Sequence, residues 1–376
     1  MAARKLRSLV AHFESLEDPR LERTRKHNLL DIIALTICAV ISGADSWVAV
    51  EKYGNAKLSW LQNFLQLPNG IPSHDTIGRF FAALCPEQFR ACFAAWVAEV
   101  AECLGLKQIA IDGKTQRRSH DRSKGKAALH LISAWAVGNH LILGQEAVDQ
   151  KSNEITAIPK LLALLDLEGA LVTIDAMGCQ REIAQQIVEQ KGDYLLTVKE
   201  NQPTLYAEIQ RLEEASLAND YAGASHCSTE ERRHGRQELR ACWVLTDVEA
   251  LQERVGWPGL QSVVVVVRDR TVGVQNSCEK HYYISSRKLP AERFLQGVRG
   301  HWGIENTLHW VLDVVFDEDG SRVRKDHGPD NFGLLRRMAI SMLKAEQSPG
   351  SIQVKRLMAG WDNSFMEKIL LDFKGN

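Results

Sequence analysis

The sequence predicts an α/β protein in which a mixed sheet flanked by helices carries a β-rich insertion and follows an all-helical region. Three observations predict it. Residues 1–104 are patterned as helices almost throughout. From Gln108 to Val198, short β-branched runs bounded by glycine alternate with helical segments, the pattern of a sheet covered by helices. Between about 200 and 290, the apolar runs at 241–245, 263–267 and 280–284 read as further strands.

Taken in order, helices are expected from His12 and Phe13 onward and over 29–41, 47–65, 75–84 and 87–104. The turn Pro68-Asn69-Gly70-Ile71-Pro72-Ser73 precedes the helix opening at His74, and Ser73 is placed to cap it. Such a helix pair is compatible with a helix-turn-helix DNA reader and equally with plain scaffold. The apolar stretch 29–44 is shorter than a membrane span and carries Asp31, so it reads as a core helix. Strands are expected at 108–112, 129–137, 140–148, 170–175 and 193–198, with helices at 153–165 and 179–190. Helical patterns around Glu305, at 329–346 and at 351–372 complete the chain.

The 376 residues, 45% hydrophobic and 25% charged, suffice for two domains or for one catalytic domain with a large insertion. A formal net charge of −1 excludes a uniformly basic nucleic-acid coat and leaves room for local basic surfaces. The eight cysteines contain no Cys-x-x-Cys pair, which favours reduced thiols in a cytosolic protein over a structural zinc site.

Three acids stand out. Asp112 ends the run at 108–111 and Asp175 ends the run at 170–174, which aims both at the crevice beyond the carboxyl ends of the strands. Glu305 lies in a helical stripe formed by Val298, His301, Ile304, Leu308, Val311, Leu312 and Val315. A carboxylate on a core-facing stripe is costly unless it is paired, protonated or bound to a cation. Magnesium or manganese takes hard oxygen ligands, and three acids could hold two such ions on either side of a phosphodiester displacement.

After Asp112 comes a dense basic run that includes Lys114, Arg117, Arg118, Arg122 and Lys124. It reads either as a solvated loop or, beside acids that need a phosphate ligand, as a backbone-binding element. Further cations cluster at Arg20, Arg23, Arg25 and Lys26, at 232–236, at Arg322, Arg324 and Lys325, and at Arg336 and Arg337. The spacing of His301, Glu305 and His309 invites a zinc reading, but the glutamate that should directly follow the first histidine is missing. Oxygen-ligated magnesium is the better expectation. Trp302 and Trp310 read as core or partner-facing residues rather than base-stacking ones.

Asp112-Gly113-Lys114-Thr115, the block 129–135 (Leu-His-Leu-Ile-Ser-Ala-Trp), Lys151-Ser152-Asn153-Glu154-Ile155, the block 173–180 and His301-Trp302-Gly303-Ile304-Glu305-Asn306 occur in order. Through them the chain resembles, essentially end to end, the H-repeat-associated insertion-sequence transposases of bacteria. The resemblance implies a DDE catalytic domain of RNase H-like fold over 105–376, with its insertion at about 200–290, behind a helical DNA-binding domain at 1–104. It implies two magnesium or manganese ions on Asp112, Asp175 and Glu305, and cleavage and joining of double-stranded DNA at element ends and target. It further implies a homodimer assembled on DNA in the nucleoid. Related transposases carry a Tyr-Arg-Glu-Lys signature around the glutamate. Here Val298, His301 and Leu312 occupy the other three places, so only the acid is kept, and His301 stands where an arginine would meet a DNA phosphate or serve structure.

Overall fold

Apolar helical repeats and β-branched runs fold where the patterning places them. The computed structural model describes residues 11–102, 107–120, 127–148, 153–233, 235–273 and 275–371. The elements in chain order are α1 (Leu29–Ile41), α2 (Trp47–Ala56), α3 (Leu58–Leu61), α4 (His74–Ala83), α5 (Pro86–Glu102), β1 (Gln108–Gln116), β2 (Leu129–Ala136), β3 (Leu141–Val148), α6 (Glu154–Leu162), β4 (Leu171–Ile174), α7 (Arg181–Glu189), β5 (Asp193–Val198), α8 (Pro203–Ala218), β6 (Ser225–Arg233), β7 (Arg236–Leu245), α9 (Glu249–Val255), β8 (Ser262–Val272), β9 (Gln275–Ser285), α10 (Ala291–Ile304), α11 (Trp310–Val314), α12 (Gly328–Ala345), α13 (Ile352–Trp361) and α14 (Asn363–Leu371). A π-helical turn, Glu305–His309, joins α10 to α11.

The chain forms two compact units. One gathers 1–106, 113–165 and 304–376, the other 107–112 and 166–303. Strand β1 contributes its first half to the second unit and its second half to the first.

In the first unit the N-terminal and C-terminal helices share one core. Helix α12 packs on α1, α4, α5, α13 and β3. Phe80, Phe81, Phe89, Phe93 and Phe332 are fully buried there. The Asn331 side chain donates to the carbonyls of Phe81 and Leu84, which satisfies the end of α4. The acid within apolar α1 is accounted for: Asp31 accepts from the Leu67 amide at 2.8 Å and the Gln66 amide at 3.2 Å, so its buried charge is solvated by backbone. Among the described residues no helix is long and apolar enough to cross a membrane. Ser46 and Ser73 cap α2 and α4 by accepting from the Ala49 and Thr76 amides.

In the second unit β1, β4 and β5 run parallel, β5 pairs antiparallel with β9, and β9, β8, β7 and β6 continue as an antiparallel meander. Phe294, Leu295 and Val298 of α10 cover Cys242, Val264, Val266 and Tyr283 of that meander. In the first unit β2 and β3 pair antiparallel, so parallel and antiparallel strands accompanied by helices are both present, the mixed α/β pattern that the sequence predicts. The insertion is β-rich, as expected.

Three local expectations are corrected, and one further strand has no counterpart among them. Strand β1 does not stop at Asp112 but runs on to Gln116, because β2 remains beside it where β4 has ended. The helix expected over 47–65 breaks at Lys57, shortly after Gly54, whose missing Cβ makes room for Ile71 and Leu35. The pattern at 351–372 is two helices parted at Asp362. Strand β6, Ser-His-Cys-Ser-Thr-Glu-Glu-Arg-Arg, carries no apolar signal because it is the edge of the meander, where polar residues discourage further pairing.

Candidate active site

The parallel register of β1 and β4 runs Gln108↔Leu171, Ile109↔Val172, Ala110↔Thr173 and Ile111↔Ile174. The next residue on each strand is an aspartate. Asp112 and Asp175 therefore leave neighbouring strands at one level, about 5 Å apart by ordinary strand spacing. Both are half-buried. Both acids offer hard oxygen donors, the kind that magnesium or manganese takes. Among the described residues no cluster of three or more His, Cys, Asp or Glu side chains is gathered as a metal site.

The loop after Asp175 is shaped by the acid itself. Asp175 Oδ1 accepts from the amides of Met177 at 3.1 Å and Gly178 at 3.4 Å, an Asx-type turn that orients the carboxylate. Asn201 donates to the Ala176 carbonyl at 2.7 Å and Gln202 to that of Cys179 at 2.8 Å, so the Lys199–Gln202 segment braces this loop.

Glu305 is placed otherwise than its stripe predicts. Val298, Ile304, Leu308, Val311 and Leu312 are buried, as the periodicity requires, but Glu305 is exposed. It opens the π-helical turn, with the buried Ile304 before it and the buried Leu308 within the turn. His301 is partly buried on α10, its Nδ1 3.1 Å from the Thr173 hydroxyl on β4. Burial pushes its pKa down to about 4, so the imidazole is neutral at pH 7 and offers no cationic contact to a phosphate. His309 is pushed down to about 4 by burial, helped by Arg337 and Lys114.

The basic residues divide. Lys114 is buried, 8% exposed, and its ammonium lies 2.6 Å from Asp313, 3.2 Å from Asp319 and 3.6 Å from Glu318. It is a structural cation on a strand rather than a free group on a loop. Arg336 and Arg337 are likewise fully buried, Arg337 at 2.8 Å from Glu318 and 3.0 Å from the Ser133 hydroxyl. Arg117 and Arg118 are exposed, Arg117 with its Nε 3.2 Å from Asp319. Arg122 and Lys124 lie outside the described residues.

One constellation carries no role in the motif reading. Glu154 Oε1 lies 2.6 Å from His130 Nε2, and His130 Nδ1 lies 2.7 Å from the Thr115 hydroxyl. Gly113, which follows Asp112 in the chain, is pressed against this pair: a Cβ there would lie 2.3 Å from Glu154 Oε1 and 2.5 Å from His130 Nε2. The glycine is a close-approach residue. Thr115, His130 and Glu154 lie in three separate blocks of the sequence, and only the tertiary fold joins them.

Two family models match: "Transposase DDE domain" over residues 104–342 and "DDE_Tnp_1-associated" over residues 10–97. The protein named "H repeat-associated putative transposase YhhI" of Escherichia coli K12 is 38% identical over 373 residues, 97% of this chain and 98% of its own. "Putative transposase YncI" of Escherichia coli O157:H7 is 39% identical over 371 residues, 97% of this chain and 95% of its own. An uncharacterized protein in the dhlA 3' region of Xanthobacter autotrophicus is 44% identical over 288 residues, 76% of this chain and 96% of its own.

Proposed function

Because the chain belongs to the DDE transposase family, alongside the H-repeat-associated transposases, we propose that it binds the ends of an insertion sequence and catalyses metal-dependent strand cleavage and strand transfer there. Water attacks a phosphodiester at the element end, and the freed 3′-hydroxyl then attacks target DNA. Both are in-line displacements at phosphorus, which need positioning and charge neutralisation rather than a covalent protein intermediate.

The observation that carries this reading is the level placement of Asp112 and Asp175 on paired parallel strands. In the proposal these two and Glu305 hold two magnesium or manganese ions, which supply charge neutralisation at the reacting phosphate. Glu305 is supported by its exposure on a π-helical turn, a feature that recurs at functional sites. End recognition falls to the helices of residues 1–104, and phosphate contacts to the exposed Arg117 and Arg118. The transposase works as a homodimer on DNA.

The test uses purified chain, magnesium and duplexes carrying the inverted repeats that flank the gene. Specific nicking at the repeat ends followed by joining to a target duplex is expected. Nicking without joining would leave a nuclease of the same fold, and binding without nicking a decayed DNA-binding remnant.

A further inference from the structure

Within the first unit a pocket of 540 Å³ opens where the starts of α2, α4 and α12 meet the segment 322–325. Gly78 eases the convergence: a Cβ there would lie 3.0 Å from Trp47 Cδ1, so any larger residue would make the indole shift. Trp47 is fixed in turn by stacking on Phe81 at 5.1 Å.

Four cations line the pocket, Arg79, Arg322, Arg324 and Lys325, against two carboxylates, Asp45 and Asp75. All four are exposed. Arg324 donates to the Arg118 carbonyl at 3.0 Å, while the side chains of Arg79, Arg322 and Lys325 make no hydrogen bond or ion pair to any described residue. Elsewhere in this unit cations are consumed by carboxylates, as at Lys114, Arg90 and Arg337. An excess of positive charge held in a concave site without internal partners is complementary to an anion. The starts of α2, α4 and α12 add the positive ends of three helix dipoles to the same rim.

We propose that this pocket is a seat for the sugar-phosphate backbone of double-stranded DNA, reached by Arg79, Arg322 and Lys325 independently of base sequence. The inference rests on the transposase reading for the identity of the polyanion. It places a DNA contact on residues drawn from both ends of the chain.

The test compares the full-length chain with Arg79→Ala/Arg322→Ala/Lys325→Ala by fluorescence anisotropy on inverted-repeat and random duplexes over a salt series. Each DNA phosphate that the variant no longer neutralises takes roughly 0.9 from the slope of log K against log salt, so a slope shallower by about 2 to 3 is expected on both duplexes. Arg79→Lys/Arg322→Lys should keep the native slope. Should the triple variant lose its unfolding transition, Arg322→Ala replaces it, with a slope change of about 0.9. Native affinity and slope in the variant would overturn the pocket and leave the transposase reading standing. If inorganic phosphate protects the native chain but not the variant, while both bind duplex alike, the site takes free phosphate and the proposal also falls. A native chain that binds no duplex sinks both.

Discussion

The Lys114 ammonium and the Asp313 carboxylate lie 2.6 Å apart, with Asp319 and Glu318 on the same ammonium, so a residue of the Asp-Gly-Lys-Thr block is a buried linchpin of the first unit. Burial alone would raise the Glu318 carboxyl, but Arg337, Arg336 and Lys114 outweigh it and hold that group below the usual carboxylate range. Removing one partner of a buried ion network strands the others. Lys114→Ala should therefore cost about 3–5 kcal/mol of stability, read from denaturant midpoints. Its salt slope on DNA should match the native chain's. An undiminished midpoint with a flattened slope would return Lys114 to the phosphate-contact role that its sequence context suggests.

Gly113 is predicted to be intolerant of even one added carbon. Gly113→Ala forces Glu154 and His130 apart and should cost roughly 1–3 kcal/mol, the range for overpacking. Combining it with Glu154→Ala should recover part of that loss, because one of the two clashing side chains is gone and His130 can move into the space. A double-mutant cycle with no coupling between the two positions would refute the close approach.

The acids separate function from stability. Asp112→Asn and Asp175→Asn keep the size of each side chain and remove only its charge, so the metal-free chain should still show its unfolding transition. Magnesium should raise the melting temperature of the native chain and leave these variants, and Glu305→Gln, unmoved. Magnesium-dependent cleavage should vanish in all three. Full cleavage by any one of them would break the triad.

Legibility in the sequence followed the range of the forces involved. Alternation and helical periodicity are local, so β2, β3, β5, α1 and α12 fall within a few residues of their expected places. The apolar stripe around Glu305 was legible too, except for the π-helical turn, which depends on how the helix must pack on both sides and has no composition of its own. The fates of Lys114, Arg336 and Arg337 were not legible, because a cation reads the same in a run whether its carboxylate partner is distant or absent. The pocket at Arg79 and Arg322 joins residues more than two hundred positions apart; the cluster at 322–325 is visible locally, but its meeting with Arg79 is not.

Stability should fall in two stages on acidification. His301 and His309 are pushed from about 6.5 down to about 4, so the unfolded chain binds protons that the folded chain refuses between those values. Their contribution is whole above pH 6.5 and is lost as pH falls toward 4, at most roughly 3 kcal/mol for each. Glu346 behaves as a depressed carboxylate. Burial raises it, but hydrogen bonds from Lys368 and Ser348 and contact with Lys355 win, and it titrates at about 2. Its share is present above pH 4.5 and is lost between 4.5 and 2. Urea midpoints measured from pH 8 to 3 should drop first through the histidine window. His309→Gln should flatten that first drop and leave the carboxylate stage alone. A native profile level between pH 6.5 and 4.5 would show that neither imidazole is held neutral by burial.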